Sequence, residues 1–210
     1  FEGQWTTRFD PERTRSGDFA RSDGSTVSVP FMWMSDRSFP YSSTPAYQAI
    51  DLPYGGEAFS MTVVLPSGDS GVGDLVESLD ADAWAGIISG MAEREIQVGL
   101  PKFRLEYDKT LNAVLQALGM GVAFDPGAAD FSRMHPDALG LQLHISEVKQ
   151  KAFVEVDEEG TRAAAVTSVE MGVTSAPPSF VADRPFAFAI RERLSGTVLF
   201  TGVVRDPSAD

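Results

Sequence analysis

The sequence predicts an α+β fold built mainly from antiparallel sheets. Apolar residues alternate with other residues in most segments, as at Val27, Val29 and Phe31, and a period of two is typical of a strand with one buried face. Tight-turn pairs such as Asp23-Gly24 join these segments at hairpin spacing. Helical periodicity is confined to a few short stretches. Together these observations place the chain in the α+β class.

The predicted β elements are separated by residues that break regular structure. In chain order they are a hairpin over Phe19–Trp33, strands over Tyr41–Leu52 and Phe59–Leu65 with a turn at Tyr54-Gly55-Gly56-Glu57, a strand over Ile96–Leu105, a long strand over Leu141–Val156, and a final hairpin of Ala187–Arg191 and Val198–Val204 around Ser195-Gly196. Residues 66–73 are expected to form a loop.

Three helices are predicted from apolar side chains at helical spacing. Their apolar positions are Leu75, Val76 and Leu79 in the first, Trp84, Ile87, Ile88 and Met91 in the second, and Leu111, Val114, Leu115 and Leu118 in the third. Asp80 is the expected N-cap of the second helix and Asp108 that of the third, and Gly119 is the expected stop of the third.

The length, charge and cysteine content of the chain exclude several classes of function. The 210 residues suffice for one domain or a large part of one. A net charge of -13 repels phosphate backbones, so no nucleic-acid partner is expected. No apolar run approaches the length of a membrane span, so no membrane partner is expected. The absence of cysteine excludes disulfides, thiol catalysis and thiolate metal sites.

The segment from Glu158 to Phe186 has the most unusual composition. Up to Ser179 it contains no aromatic residue, few charges and many small side chains. As a strand it would present one uncharged face, made of Thr161, Ala163, Ala165, Thr167, Val169, Met171 and Val173. That face could be buried in the middle of a sheet without burying a charge. The same composition equally fits a protease-sensitive surface loop of small residues.

Catalytic and metal sites are weakly indicated. Gly68-Asp69-Ser70-Gly71 is the tetrapeptide that surrounds the nucleophile of chymotrypsin-like proteases, but that family places its histidine well before the serine. Here both histidines, His135 and His144, follow it, so the tetrapeptide is better interpreted as a turn. Two histidines without cysteine or ligand spacing do not make a metal site.

The acidic run Asp157-Glu158-Glu159 lacks the spacing and central glycine of a calcium loop. We interpret it as a solvated approach to the segment that follows. Neither a metal nor a cofactor is therefore predicted.

An ordered series of short motifs resembles the serpin family of protease inhibitors. The decisive one is Glu158-Glu159-Gly160-Thr161 followed by Ala163-Ala164-Ala165-Val166-Thr167, which is similar to the reactive-loop hinge of inhibitory serpins. The others are Phe1-Glu2-Gly3-Gln4-Trp5, Val29-Pro30-Phe31-Met32, Leu52-Pro53-Tyr54, Met61 to Pro66, Leu100-Pro101-Lys102-Phe103, Leu118-Gly119-Met120, Ala129-Asp130-Phe131-Ser132, Asp183-Arg184-Pro185-Phe186, Leu199-Phe200-Thr201-Gly202 and Asp206-Pro207. Each match is short, but their order spans nearly all of the chain.

The resemblance implies a serpin-like fold with a long exposed reactive loop at about 158–178. Residues 1–210 are expected to be the C-terminal portion of a single serpin domain, with the N-terminal part of the fold missing. Two departures from the family pattern stand out. Arg162 replaces a common Glu on the face assigned outward, and Gln150 replaces a common His in the strand that leads to the loop.

The resemblance also implies suicide inhibition of a serine protease. The expected reactive bond joins Thr174 and Ser175. The expected hinge is Glu159, Gly160, Thr161, Arg162, Ala163, Ala164, Ala165, Val166 and Thr167, and the expected target-recognition residues are Met171, Gly172, Val173 and Ala176. Thr174 favours an elastase-like or subtilisin-like target, or a chymotrypsin-like one if the register shifts to Met171.

The partner implied is the target protease, held as a covalent acyl complex. The resemblance further implies a monomer when full length, and favours an extracellular over a cytoplasmic location. Two alternatives stay open. One is a non-inhibitory serpin with a carrier, chaperone or structural role, and the other is an unrelated α+β binding domain with a mobile loop.

Overall fold

The structure is a computed structural model that describes residues 1–67, 70–134, 143–161 and 178–209. Its strands are β1 (Gly3–Gln4), β2 (Arg15–Ala20), β3 (Thr26–Met34), β4 (Ser38–Ser43), β5 (Tyr47–Tyr54), β6 (Phe59–Pro66), β7 (Ala92–Glu95), β8 (Gln97–Pro101), β9 (Phe103–Thr110), β10 (Lys149–Val156), β11 (Gly160–Thr161), β12 (Ser179–Val181), β13 (Phe186–Glu192) and β14 (Val198–Val204). Its helices are α1 (Val72–Ser78), α2 (Ala81–Ser89), α3 (Asn112–Leu115) and α4 (Gly121–Phe124), with a 3-10 turn at Pro11–Arg13 and a π-helical turn at Gln116–Met120.

Two large sheets dominate the first compact unit, which consists of Phe1–Leu105 and Val154–Asp210. One sheet has six strands in the order β14-β13-β6-β5-β4-β7, and each neighbouring pair is antiparallel. The other has four strands in the order β12-β8-β3-β2, and only β12 and β8 run parallel. The prediction of an α+β fold with mainly antiparallel sheets is confirmed.

The main hydrophobic core takes side chains from both large sheets. Met32 and Leu100 come from the four-stranded sheet, and Ile50, Met61 and Ile190 come from the six-stranded sheet. All are at most 1% exposed. Strand alternation explains how one face of each sheet contributes apolar side chains, and each fully buried side chain of this size stabilises the fold by about 1.5–3 kcal/mol.

The opposite face of the six-stranded sheet is covered in part by α1 and α2. Leu75 and Ile87 from these helices form a second cluster with Ala49, Val64 and Ala187 from the sheet. Small residues on the sheet allow close approach of the helices. Both helices match the sequence prediction, and the predicted N-cap Asp80 accepts a hydrogen bond from the N–H of Ala83 at 2.8 Å.

A buried ion pair crosses the middle of the six-stranded sheet. Arg191 Nη2 donates to Asp51 Oδ2 at 2.9 Å, and its Nε donates to Thr62 Oγ1 at 3.1 Å. The Thr62 hydroxyl donates in turn to Asp51 Oδ1 at 2.6 Å. Asp51 is 1% exposed and Arg191 is 6% exposed. Because water does not solvate these charges, each is stabilised by the other.

Two predicted strands are divided in the structure. Tyr41–Leu52 contains a turn between β4 and β5, because the Thr44 hydroxyl accepts hydrogen bonds from the N–H groups of Ala46 and Tyr47. Ile96–Leu105 is divided between β8 and β9 at Lys102, whose N–H still donates to Pro30 O of β3 at 2.8 Å. Beyond Lys102 the chain changes partner, because β9 pairs with β10 in a separate sheet. The single-strand predictions were therefore wrong at these two places.

The second compact unit is Glu106–Phe153. Asp108 was predicted as a helix N-cap, but it lies in β9. Its Oδ2 forms an ion pair with Lys151 Nζ at a distance of 2.7 Å. The helix instead begins at Asn112, whose side chain bonds Ser146 O and the N–H of Val148. Within the described residues, β10 accounts for only the last part of the predicted strand over 141–156.

Candidate functional site

The predicted site is described only at its ends. Glu159, Gly160 and the backbone of Thr161 lie within the described residues. The other predicted hinge, recognition and reactive-bond residues lie outside them: Arg162, Ala163, Ala164, Ala165, Val166, Thr167, Met171, Gly172, Val173, Thr174, Ser175 and Ala176. Two points of the described chain flank residues 162–177.

The first point is a tight reversal of the chain from Asp157 to Gly160. The N–H of Asp157 donates to Gly160 O at 3.1 Å, and the N–H of Gly160 donates back to Asp157 O at 3.3 Å. The Asp157 carboxylate Oδ1 also accepts the N–H groups of Glu159 at 2.9 Å and Gly160 at 3.3 Å. This is the local side-chain-to-backbone bonding that favours aspartate in turns.

After the reversal, the chain pairs with β1 as a new strand. In the antiparallel β1–β11 ladder, Thr161 faces Gly3 and Gly160 faces Gln4. Gly160 has a φ of 135°, and a Cβ placed there would lie 2.3 Å from Gly3 O and 2.7 Å from Gln4 Cα. Only glycine combines this backbone angle with so close an approach. Gly160 and Thr161 of the predicted hinge therefore lie in a two-stranded sheet.

Trp5 holds the reversal from the side of β1. Its indole Nε1 donates to Asp157 O at 2.9 Å, and its backbone N–H donates to Glu159 O at 2.9 Å. The ring is 3% exposed and stacks on Tyr54 with a centroid distance of 4.5 Å. A buried tryptophan usually satisfies its N–H in this way. The turn is thus fixed to the six-stranded sheet through Tyr54.

Glu158 fixes the reversal on its other side. Its carboxylate accepts hydrogen bonds from Lys102 Nζ and from the Thr14 hydroxyl, both at 2.7 Å. Burial raises the pKa of Glu158, but the bonds from Lys102 and Thr14 outweigh burial, so its pKa lies below the usual value. The carboxylate is therefore held in its charged form.

The solvated approach expected at Asp157-Glu158-Glu159 is corrected by these contacts. Glu158 is only 9% exposed, and its backbone O accepts the N–H of Phe9 at 3.0 Å. Asp157 and Glu158 are therefore structural anchors, because the Asp157 carboxylate bonds turn amides and the Glu158 carboxylate bonds Lys102 and Thr14 in place of water.

The second point is the start of β12, directly after the undescribed segment. The N–H of Gln97 donates to Pro178 O at 2.9 Å, and the N–H of Ala182 donates to Gly99 O at 2.9 Å. Between them Ser179, Phe180 and Val181 pair in parallel with β8. Phe180 is fully buried. Residues 162–177 therefore leave from one well-packed point and return to another.

The other sequence candidates do not form a site among the described residues. Gly71 is the N-cap of α1, and its N–H donates to Asp74 Oδ2 at 2.9 Å. Gly68 and Asp69 of the same tetrapeptide lie outside the described residues. His144 is exposed and His135 is not described. Across the described ranges, no cluster of three potential metal ligands occurs. Within those ranges no helix is both long and apolar enough to cross a bilayer.

The family description Serpin (serine protease inhibitor) matches residues 1–207. The chain belongs to the serpin family. This serpin chain is 39% identical over 223 residues to Serpin-Z1C of Triticum aestivum and 36% identical over 216 residues to glia-derived nexin of Homo sapiens. Each alignment covers 99% of the chain, and 54% and 53% of those relatives. The chain therefore spans about half the length of the relatives it matches.

Solved serpin structures share its fold. Native protease nexin-1 with heparin superposes with a TM-score of 0.83 at 34% identity, covering 99% of this chain and 54% of that one. The mouse protein-Z dependent protease inhibitor superposes with a TM-score of 0.84 at 30% identity, covering 99% and 53%. Serpins in general act on serine proteases as inhibitors and are not themselves enzymes.

Sequence reasoning missed the polar contacts that fix the loop. Trp5 and Lys102 both stood in motifs that resemble the family, but nothing in their spacing indicated their partners. Thr14 carried no signal at all. Glu158 lies 56 positions from Lys102 and 144 from Thr14, so only folding brings these side chains together.

Proposed function

We propose that this serpin chain carries the reactive loop of a suicide inhibitor of serine proteases. The observation that supports this best is the β1–β11 ladder. The chain reverses at Asp157–Gly160 and begins the next segment as an antiparallel neighbour of β1. Loop insertion in serpins is a known case of strand addition to a sheet, and a loop that starts as a strand needs only to continue in the same direction.

In the proposed reaction the protease attacks the carbonyl carbon of Thr174. Its serine oxygen forms an ester with Thr174, the Thr174–Ser175 peptide bond breaks, and the protease histidine delivers the proton to the departing amine of Ser175. The freed segment from Gly160 to Thr174 then inserts into the sheet and carries the acylated protease with it. Distortion of the protease site prevents water from hydrolysing the ester.

The register of insertion follows from the existing ladder. Thr161 faces Gly3 and Gly160 faces Gln4, so Ala163 would face Phe1 as insertion proceeds. Later loop residues would pair with strand residues contributed by the longer protein, which agrees with the half-length coverage of the relatives. We propose that 1–210 is the loop-bearing portion of one serpin domain.

The free energy available from insertion is large enough for this work. About ten inserted residues form on the order of ten backbone hydrogen bonds, each contributing about 0.5–1.5 kcal/mol net. The sum, on the order of 10 kcal/mol, is comparable to the whole stability of a domain. The uncharged face that includes Thr161, Ala163, Ala165 and Thr167 allows the segment to insert between strands without burying a charge on that face.

Target preference rests on the residues around the proposed bond. Thr174 and Val173 are β-branched and of modest size, which fits the shallow pockets of elastase-like and subtilisin-like enzymes. Met171 would suit a chymotrypsin-like enzyme in a shifted register. We further propose that Gly172 and Ala176 contact the target, and that the full-length protein is an extracellular monomer.

The proposal is tested by mixing the full-length protein with pancreatic elastase or subtilisin. We expect a complex that survives denaturing gel electrophoresis and releases the C-terminal peptide that begins at Ser175, identified by mass spectrometry. Ala163→Pro removes a ladder donor and Thr161→Arg adds a charge, so both variants should be cleaved without forming the complex. Cleavage of the wild type without a complex would favour a non-inhibitory serpin.

A further inference from the structure

The Asp157 carboxylate is bonded to two backbone amides of the reversal. Its Oδ1 accepts the N–H of Glu159 at 2.9 Å and that of Gly160 at 3.3 Å. Its backbone O accepts the Trp5 indole at 2.9 Å. Asp157 thus fixes the direction in which the chain leaves β10.

We infer that Asp157 is a positioning residue for loop insertion, an inference that rests on the proposed function. By holding the two amides of the reversal, it keeps Gly160 and Thr161 in strand register with β1 before any protease arrives. Cleavage then leaves a strand that is already started and has only to be extended.

The physical reason is that starting an ordered segment is harder than extending it. The first pairing must fix several backbone angles for few hydrogen bonds, whereas each later residue is fixed next to a formed neighbour. In a trapping inhibitor, insertion competes with hydrolysis of the ester. A preformed start shortens the insertion step and leaves the first attack on Thr174 unchanged, because Asp157 does not act on the reacting atoms.

Neighbouring acidic residues do not have this role. The main partners of Glu158 lie elsewhere, because its carboxylate accepts hydrogen bonds from Lys102 Nζ and the Thr14 hydroxyl, both outside the reversal. Glu155 lies on β10 two positions before Asp157, so Glu155→Ala removes the same charge nearby without touching the reversal. It is the matched control.

The geometry of the acceptor, and not its charge, is the feature that should matter. Asp157→Asn keeps an oxygen in the Oδ1 position and loses the charge, whereas Asp157→Glu keeps the charge and moves the oxygens by one methylene. We therefore expect Asp157→Asn to behave like the wild type, and Asp157→Glu and Asp157→Ala to be impaired.

The test measures, in the full-length protein, the moles of inhibitor consumed per mole of elastase or subtilisin blocked, together with the second-order rate of loop cleavage. Losing two hydrogen bonds should raise the consumption ratio of Asp157→Ala and Asp157→Glu about threefold to tenfold. The cleavage rate should stay within about twofold of the wild type for every variant. Glu155→Ala should match the wild type in both measurements.

The outcomes separate this inference from the proposed function. A wild type that traps normally, with unchanged consumption ratios for Asp157→Ala and Asp157→Glu, overturns the positioning role alone. A wild type that is cleaved without trapping overturns both. Should Asp157→Ala fail to fold, the comparison of Asp157→Asn with Asp157→Glu decides the matter, and equal ratios for these two variants overturn the inference.

Discussion

Single residues set the start of the loop, and Gly160 shows this most directly. Its φ of 135° lies where L side chains are rarely found, and the backbone of Gly3 and Gln4 fills the space that a Cβ would occupy. In the sequence this glycine was one letter of a family motif. In the structure it is the position at which two strands come too close for any side chain.

Gly160→Ala is expected to lower the free energy of unfolding by about 1–3 kcal/mol, because it combines backbone strain with a clash against β1. Urea denaturation followed by tryptophan fluorescence measures the change. Gly196→Ala is the matched control, since Gly196 also has a positive φ of 73° but no atom lies within 4 Å of a Cβ placed there. Equal losses in the two variants would mean that the close approach to β1 does not matter.

Glu158 is expected to make stability depend on pH in the acidic range. Its pKa in the folded protein lies below the usual 4.5, so its contribution is fully present above pH 4.5 and is lost as the pH falls through the lower folded value. Unfolding curves of the wild type and Glu158→Gln from pH 3 to pH 7 measure this. The difference between the two proteins should shrink as the pH falls, and a constant difference would contradict the assignment.

At the scale of elements, the reversal at Asp157–Gly160 is fixed to the six-stranded sheet. Trp5 reaches it by stacking on Tyr54 at the end of β5. The middle strands of the sheet bury the hydrogen-bonded network of Asp51, Thr62 and Arg191 on the face opposite the main core. A buried ion pair contributes little net stability, because removing two charges from water is costly. Removing one partner is nevertheless strongly destabilising, because it leaves the other charge buried without a partner.

Arg191→Ala is expected to lower the free energy of unfolding by about 3–5 kcal/mol, because Asp51 stays buried without its main cation. Arg193→Ala is the control, since Arg193 is 30% exposed and reaches Asp51 only at 3.6 Å, and it should lose less than about 1 kcal/mol. Equilibrium denaturation in urea provides both values. Similar losses for the two variants would show that burial of the pair is not the cause.

At the scale of the whole molecule, the proposed function requires a large change of state. The intact protein holds only Gly160 and Thr161 in the ladder with β1 among the described residues. Cleavage near Thr174 would release the remainder to extend that ladder. The molecule would then pass from a less stable to a more stable fold with the same sequence.

Limited cleavage at the Thr174–Ser175 bond is therefore expected to raise the melting temperature of the full-length protein by on the order of 10–20 °C, because insertion contributes on the order of 10 kcal/mol. Calorimetry of the intact and cleaved forms measures the shift. Ala163→Pro, cleaved in the same way, should show a much smaller gain. A wild type that melts at the same temperature before and after cleavage would contradict loop insertion.

The strand pattern, the turns and the family motifs were visible in the sequence because each depends on neighbouring residues. Alternation predicted β3 and β14, and Asp80 predicted the start of α2. The N-cap prediction at Asp108 was wrong because an aspartate before apolar residues favours an N-cap locally, whereas its ion pair with Lys151 keeps it in a strand. The single strand over Tyr41–Leu52 was wrong because the turn at Thr44 depends on a hydrogen bond to its hydroxyl, which alternation of side chains does not indicate.

By itself the sequence determined the α+β class and the family, and it predicted the position of the hinge, since composition, periodicity and ordered motifs are properties of the chain in order. Only the tertiary structure decided how the reversal at Asp157–Gly160 is held. The bonds of Glu158 to Lys102 and Thr14, and of Asp157 to Trp5, join residues from 56 to 152 positions apart. Such contacts form because packing of the sheets brings distant strands within hydrogen-bond distance, and no local pattern encodes which of them will meet.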